Sequence, residues 1–221
     1  MDEIINGFGM IKEGVYENIV VNGSCNVSGD IKCGKFSLSG SCKFRGRTEC
    51  DNELQVSGAA EFDKDVIAGA VLCSGAVSFH GDIKSKDVSL AGTTKIGGKV
   101  DCKNFSCSGI IESSAPVNAE NVNIIFGEKS KVRYIGGTTV MLGTSENKKN
   151  GILKKIFSSK GRLSVTESVN GDTINITDVN APLVSGKDIV IGDGCVIDRV
   201  IYSGTLDVSP KAKVKEKVYT E

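Results

Sequence analysis

Residues 36–50, FSLSGSCKFRGRTEC, decide the fold of this chain, and residues 88–102, VSLAGTTKIGGKVDC, repeat the same pattern. In both stretches, apolar and polar residues alternate in short runs that are interrupted by glycine. An alternation of this kind is typical of β-strands that turn every second side chain toward a core. The return of one pattern at two places indicates an internal repeat, which we therefore sought before assigning single elements.

Glycines give the period of the repeat. The first series recurs at intervals of 17 or 18 residues and comprises Gly23, Gly40, Gly58, Gly75, Gly92 and Gly109. The second series follows six residues behind members of the first and comprises Gly29, Gly46, Gly81 and Gly98. Glycine tolerates positive φ and suits tight corners. The spacing predicts coils of about 17 residues with three sides, each side contributing two inward residues.

Stacked coils place residues one period apart in a common column. One predicted column contains Phe36, Leu54, Val71, Val88, Phe105 and Val122, and another contains Val27, Phe44, Phe62, Phe79 and Ile96. Outward charges support the same register, because opposite charges fall together in the pairs Lys35–Glu53, Lys43–Glu61, Arg45–Asp63, Arg47–Asp65, Lys32–Glu49 and Lys84–Asp101. We therefore predict an all-β fold, a single-stranded, three-sided parallel β-helix.

Regularity along the chain suggests four regions. Residues 1–16 form a segment that either caps the first coil or contacts a membrane, and residues 17–126 form β-helix coils. Residues 127–162 form an irregular excursion with a basic amphipathic segment. Residues 163–221 return to β-helix coils and end in a charged tail.

The basic segment Asn147–Arg162 has two interpretations. Its apolar side can pack on the coils, or its lysines can contact anionic lipid or another partner. The candidate membrane or partner contacts, including the apolar residues of the N-terminal segment, are Ile4, Ile5, Phe8, Lys148, Lys149, Ile152, Leu153, Lys154, Lys155, Ile156 and Phe157.

Cysteines and the single histidine do not define a reactive centre. The chain has eight cysteines and no CxxC pair, and the seven cysteines up to Cys107 fall on inward positions. We expect them to be buried free thiols that act as small apolar residues. His80 is expected to point outward below Asp63, without a paired nucleophile. No catalytic, metal or cofactor site is predicted.

Charge and motif content exclude several classes of function. Lys plus Arg equals Asp plus Glu at 27 each, so net charge indicates no nucleic-acid partner. No GxxxxGK[ST] phosphate-binding loop occurs, which argues against a nucleotide-driven filament. A β-helical carbohydrate-active enzyme or acyltransferase is an alternative, but the outward acids are scattered. No apolar run approaches the roughly 18 residues of a membrane span, so we expect a cytoplasmic protein.

The two stretches quoted above, together with VSGKDIVIGDGCVIDRVIYSGTLDV at residues 184–208, resemble the bactofilins, and the late stretch resembles the longer Gram-positive type. The resemblance implies a right-handed β-helix that polymerises with itself, end to end and without nucleotide. It also implies a cytoskeletal or scaffold role in cell shape, with attachment to the inner face of the cell membrane and localisation of cell-wall enzymes.

The ends of a β-helix are the expected assembly surfaces, because their strands carry unpaired backbone groups and open apolar columns. The candidate polymerisation residues are Ile19, Val21, Leu206, Val208, Val214 and Val218. Lysines in the tail KAKVKEKVYTE, residues 211–221, can guard that end against stacking or steer an acidic partner toward it. The alternative function is a β-helix that does not polymerise and serves as a protein-binding or membrane-binding module.

Overall fold

The computed structural model describes residues 2–143 and 161–221, which contain strands, turns and bends but no helix. The strands are β1 Glu3–Ile11, β2 Gly14–Val15, β3 Asn18–Val27, β4 Ile31–Phe44, β5 Thr48–Phe62, β6 Val66–Phe79, β7 Ile83–Ile96, β8 Val100–Phe126, β9 Lys131–Gly143, β10 Leu163–Ile176, β11 Val179–Ile191, β12 Val196–Tyr202, β13 Leu206–Val208 and β14 Lys213–Tyr219. The chain divides into two compact units, Met1–Phe105 and Ser106–Glu221.

The first unit is a parallel β-helix, as the repeat predicted. Its strands are ordered β1-β3-β4-β5-β6-β7, and each pairs in parallel with the next. Gly23 pairs with Gly40 and Gly58 with Gly75, each a coil apart. One coil contains an extra residue, which lies between Cys50 and Glu53, where the register shifts.

Aromatic rings form the predicted column in the core of the first unit. The rings of Phe44 and Phe62 stack with centroids 4.2 Å apart, and those of Phe62 and Phe79 with centroids 5.0 Å apart. All three side chains are almost completely buried. Parallel stacking of identical residues is a direct consequence of in-register coils, since residues one period apart occupy the same position on adjacent strands.

The two glycine series have different physical causes. Gly40 has a φ of 134°, which disfavours L side chains, and a Cβ there would overlap the carbonyl oxygen of Gly23. Gly46 has no positive φ, but a Cβ there would overlap the backbone of Gly29 on the preceding coil. Positive φ and close approach therefore act together at Gly40, whereas close approach of the stacked backbone alone explains Gly46.

The second unit is also a parallel β-helix, with less regular coils. Its strands follow the order β8-β9-β10-β11-β12-β14, with β13 paired to β11. Register shifts occur between Ser113 and Pro116 and between Val165 and Ser168. These bulges explain why the period faded in the sequence: an extra residue in one coil breaks the spacing without breaking the stack.

Two region boundaries from the sequence require correction. Residues 131–143, assigned to an irregular excursion, form strand β9, which pairs with both β8 and β10. Residues 3–11 form strand β1, which pairs with β3, so the first coil begins before residue 17. In both places the offset differs from 17: Glu3 pairs with Ile19, and Glu112 pairs with Lys131.

The expectation that all of the N-terminal cysteines are free thiols was wrong for one pair. Cys25 and Cys42 form a disulfide, with Cα atoms 4.6 Å apart. Cys33, Cys50, Cys73, Cys102 and Cys107 are not disulfide-bonded. Stacking places inward cysteines of adjacent coils within the Cα separation that a disulfide requires, so the register that buries these thiols also allows them to be bonded.

Candidate interaction surfaces

The N-terminal edge of the first unit is strand β1, which is terminal in the strand order. Its inward residues Ile5 and Ile11 are buried. Apolar side chains on its outward positions are open to solvent, with Phe8 exposed by 77% and Ile4 by 64%. Met10 and Val15 are similarly exposed. This edge therefore combines a strand that pairs on one side with an exposed group of apolar side chains, the N-terminal apolar group: Ile4, Phe8, Met10 and Val15.

Two of the predicted polymerisation residues lie one coil inside this edge. Ile19 and Val21 are completely buried, because Glu3 and Ile5 of β1 pair with them in register. The same burial removes Ile5 from the predicted membrane contacts, whereas Ile4 and Phe8 remain exposed. A sequence signal for the extra coil existed, since Gly7 pairs with Gly23 and shares its positive φ.

The C-terminal edge of the second unit consists of β13 and β14. Leu206 and Val208 pair with the buried residues Ile189 and Ile191 of the preceding coil. The predicted assembly residues Leu206, Val208 and Val214 are partly exposed although their register partners one coil earlier are buried. Val218 is also partly exposed, and so is its register partner Ile201. The apolar columns therefore reach the C-terminal edge without being fully covered.

Charged side chains surround the C-terminal edge. Lys211 lies 2.8 Å from Asp193, and Lys215 lies 2.6 Å from Asp198, each one coil away. Lys217 is exposed and is the register partner of the buried Val200. A lysine on a sheet edge disfavours indiscriminate pairing with other strands. The edge is thus open in its apolar columns and restricted by charge at its margin.

Three of the predicted charge pairs are present on the lateral surface of the first unit. Lys32 lies 3.2 Å from Glu49, Lys35 lies 2.8 Å from Glu53, and Lys43 lies 3.0 Å from Glu61. All are partly exposed, so solvent screens each pair and each contributes little to stability. Their main effect is on register, because a slipped coil would separate the opposite charges.

Other predicted charge pairs are replaced by different partners. Asp63 lies 3.6 Å from Lys43 rather than pairing with Arg45. Asp65, predicted opposite Arg47, accepts a hydrogen bond from the backbone N–H of Asp82. These carboxylates stand at corners, where a stacked backbone N–H one coil later competes with a flexible cationic side chain. The Lys84–Asp101 pair remains a prediction.

The single histidine belongs to a small polar cluster that the sequence did not indicate. Nε2 of His80 lies 3.4 Å from Glu61, and potential ligand atoms of Glu61, Asp63 and His80 lie within 4.8 Å of one another. The Lys43 ammonium contacts both carboxylates and holds the pKa of Glu61 below its ordinary value. The cationic position between the carboxylates is therefore already occupied by the chain itself.

Cys73 and Cys102 of the first unit are poor nucleophiles. Burial raises the pKa of Cys73 to about 12, and burial with nearby carboxylates raises that of Cys102 to about 12. The Cys33 and Cys50 sulfurs lie 3.3 Å apart, so that one hydrogen bond lowers the pKa of Cys33 and raises that of Cys50. Thiolates are scarce in this setting.

The predicted basic contact residues Lys148, Lys149, Ile152, Leu153, Lys154, Lys155, Ile156 and Phe157 lie outside the described residues. Within the described part of the chain, no helix has the length and apolar composition of a membrane-crossing segment.

These features define a protein of the parallel β-helix class. A family model described as "Bactofilin: Polymer-forming cytoskeletal" matches residues 17–120. The chain is also 38% identical over 229 aligned residues to "Uncharacterized protein YhbE" of Bacillus subtilis, covering 96% of this chain and 95% of that protein. The chain belongs to the bactofilin family.

A second relative matches a smaller region. The chain is 30% identical over 88 residues to "Uncharacterized protein YhbF" of Bacillus subtilis, which is 40% of this chain and 34% of that protein. The chain thus spans about a third of the length of this relative and almost all of the other. No solved structure matches the chain.

Proposed function

We propose that this protein polymerises with itself through its terminal coils, without nucleotide, and serves as a cytoskeletal or scaffold element. The observation that supports this proposal most is the C-terminal edge, where Leu206 and Val208 continue buried columns but are themselves partly exposed. A second copy that adds a strand there completes both the hydrogen-bond ladder and the apolar column.

The N-terminal edge supports assembly in a different way. Strand β1 pairs with β3 and is the first strand in the order, so its other side can accept a strand from another copy. Its inward residues Ile5 and Ile11 are already buried, and its exposed apolar area lies on outward positions. Association at this edge therefore depends more on backbone hydrogen bonds than on an open column.

Absence of a phosphate-binding loop from the sequence supports assembly without nucleotide. Polymer growth is then governed by protein concentration and by the free energy of each end contact. Such a filament forms and dissolves by mass action rather than by hydrolysis.

Substituting Leu206 by Lys tests the proposal. Purified, nucleotide-free protein is expected to form extended polymers by electron microscopy, and Leu206→Lys is expected to abolish them by placing a charge in the open column. The matched control is Asp207→Lys on the same strand, because Asp207 is exposed between two column residues. Polymers that persist in Leu206→Lys, in a protein with an unchanged circular dichroism spectrum, would refute the proposed contact.

A peripheral contact with the inner membrane surface is the second proposal, and it rests on the N-terminal apolar group. Phe8 is 77% exposed and Met10 62% exposed, in a unit that otherwise buries its large apolar side chains efficiently. Exposed aromatic and aliphatic side chains of this kind insert at lipid interfaces. Phe8→Asn is expected to reduce co-sedimentation with anionic vesicles, while Val190→Asn, an exposed apolar position of the second unit, should not.

A further inference from the structure

Two cysteine pairs connect the same two coils of the first unit. Cys25 of β3 is bonded to Cys42 of β4, and Cys33 of β4 faces Cys50 of β5. Each pair spans 17 residues, so both link the coil of residues 18–34 to the coil of residues 35–52. One pair is oxidised and the other is reduced, although their register is equivalent.

The surroundings of the two pairs differ. Cys25 and Cys42 are 4% and 6% exposed, and they line the floor of an open groove of about 420 Å³ together with Phe8, Ser24 and Asn26. Their column neighbours are small, since Gly9 pairs with Cys25 and Ala60 pairs with Cys42. Cys33 and Cys50 are each only 1% exposed. A small reagent therefore has a route to the first pair that the second pair lacks.

We propose that the Cys25–Cys42 bond is a reversible, thiol-reducible crosslink that controls how readily the N-terminal coils open. A thiolate of a small-molecule thiol enters the groove and attacks one sulfur of the bond, forming a mixed disulfide and releasing the other cysteine as a thiolate. A second small thiolate attacks the mixed disulfide, which releases the oxidised small disulfide and the second cysteine. Two electrons pass from the small thiols to the protein disulfide, and the cysteines then take up two protons.

The crosslink lies one coil inside the end where opening begins. Opening of a stack starts at its terminal coil, which has a neighbour on one side only, and the coil of β1 separates the crosslinked coils from the N-terminal edge. A bond between Cys25 and Cys42 prevents the coil of residues 18–34 from separating completely from the coil of residues 35–52. After reduction, only backbone hydrogen bonds and side-chain packing hold these two coils together. Where β1 takes part in assembly, which rests on the proposed function, the redox state also sets how well that edge is ordered.

Hydrogen exchange measured by mass spectrometry tests the crosslink directly. In oxidised protein, reduction by a small dithiol is expected to raise amide exchange in β3 and β4 on the order of 100-fold, the effect of releasing a 17-residue loop. Exchange in β6 and β7 should stay unchanged. Cys25→Ser with Cys42→Ser should exchange at the faster rate with or without reductant, while Cys33→Ala with Cys50→Ala and Cys73→Ala alone should each keep the response.

Two results would overturn the proposal. One is equal exchange in β3 and β4 before and after reduction. The other is complete alkylation of Cys25 and Cys42 in protein incubated with the oxidised form of a small thiol, which would show that no bond forms. Neither readout requires polymers, so in the assembly-deficient variant Leu206→Lys the redox response must persist. Failure of the crosslink and failure of the assembly proposal are thereby distinguished.

Discussion

The two units reach the same architecture by different routes. In the first, register offsets stay between 16 and 18 residues, as in Glu3 with Ile19 and Lys35 with Glu53, and aromatic rings repeat in one column. In the second, offsets range from 15 residues, for Val169 with Val184, through 19, for Glu112 with Lys131, to 34, for Val140 with Ile174. A β-helix therefore needs consistent inward and outward alternation on each side, but it does not need a constant coil length.

Single-residue deletions give the sharpest test of that distinction. Deleting Gln55, which lies outward between the buried Leu54 and Val56, should abolish the fold of the surrounding coils, because one residue reverses the alternation. Deleting Asn52 should be tolerated, because the register shift lies at that position. Thermal unfolding by circular dichroism would measure both. An equal loss of thermal stability in the two deletion variants would contradict the claim that the corner at Asn52 tolerates a change in coil length.

The substitutions Val21→Lys and Leu206→Lys compare the cost of a lysine at an interior position with its cost at an edge position. Val21 is completely buried on β3, so a lysine there is expected to cost about 4 kcal/mol or more. Leu206→Lys at the open C-terminal edge is expected to cost less than about 1 kcal/mol, since the ammonium reaches water. Urea unfolding followed by unit-specific hydrogen exchange compares them. A fully folded Val21→Lys would show that β1 does not cover the second coil.

Because its aromatic rings stack, the core of the first unit should lose more stability on substitution by alanine than the core of the second unit. Phe62→Ala is expected to destabilise its unit by about 4 kcal/mol, since it removes a buried side chain and its stacked contacts. Ile174→Ala, equally buried in β10, is expected to cost about 3 kcal/mol. The exchange rates of the slowest amides in each unit report the loss of stability in that unit. A larger loss of stability for Ile174→Ala than for Phe62→Ala would contradict this prediction.

Protonation of surface carboxylates should have the smallest effect on stability, and it should lower the stability of both units. Lys43 lowers the pKa of Glu61, and Lys211 lowers the pKa of Asp193. Their contribution to stability is therefore fully present above the ordinary carboxyl pKa and is lost as pH falls through the depressed value. Side-chain NMR titration should place both midpoints below ordinary values. Lys43→Met should raise the midpoint of Glu61 and leave that of Asp193 unchanged; an unchanged Glu61 midpoint would contradict the ion pair.

Much of the first unit could be predicted because its repeat is visible in single residues. Glycines at fixed spacing determined the register, and the register correctly placed Phe44 over Phe62 and Lys35 beside Glu53. The coil of β1 was missed because a single glycine, Gly7, marks it at a 16-residue spacing. Strand β9 was missed for the same reason, since bulges remove the constant interval on which the recognition of a repeat depends.

The surfaces were less predictable than the core. Burial of Ile19 and Val21 follows from β1, so an error in one boundary moved the predicted edge by a whole coil. The repeat places Cys25 above Cys42, but spacing alone does not specify whether the two cysteines are bonded. The contact of His80 with Glu61 depends on side chains that reach diagonally between coils, which a register of direct neighbours does not describe.

Diffraction from aligned polymers tests the central claim most directly, namely that stacked parallel coils continue from one copy to the next. Polymers of nucleotide-free protein should show a meridional reflection at about 4.8 Å, the spacing of hydrogen-bonded strands perpendicular to the filament axis. Polymers that lack this reflection along the axis, or protein that remains as single particles at high concentration, would contradict the account.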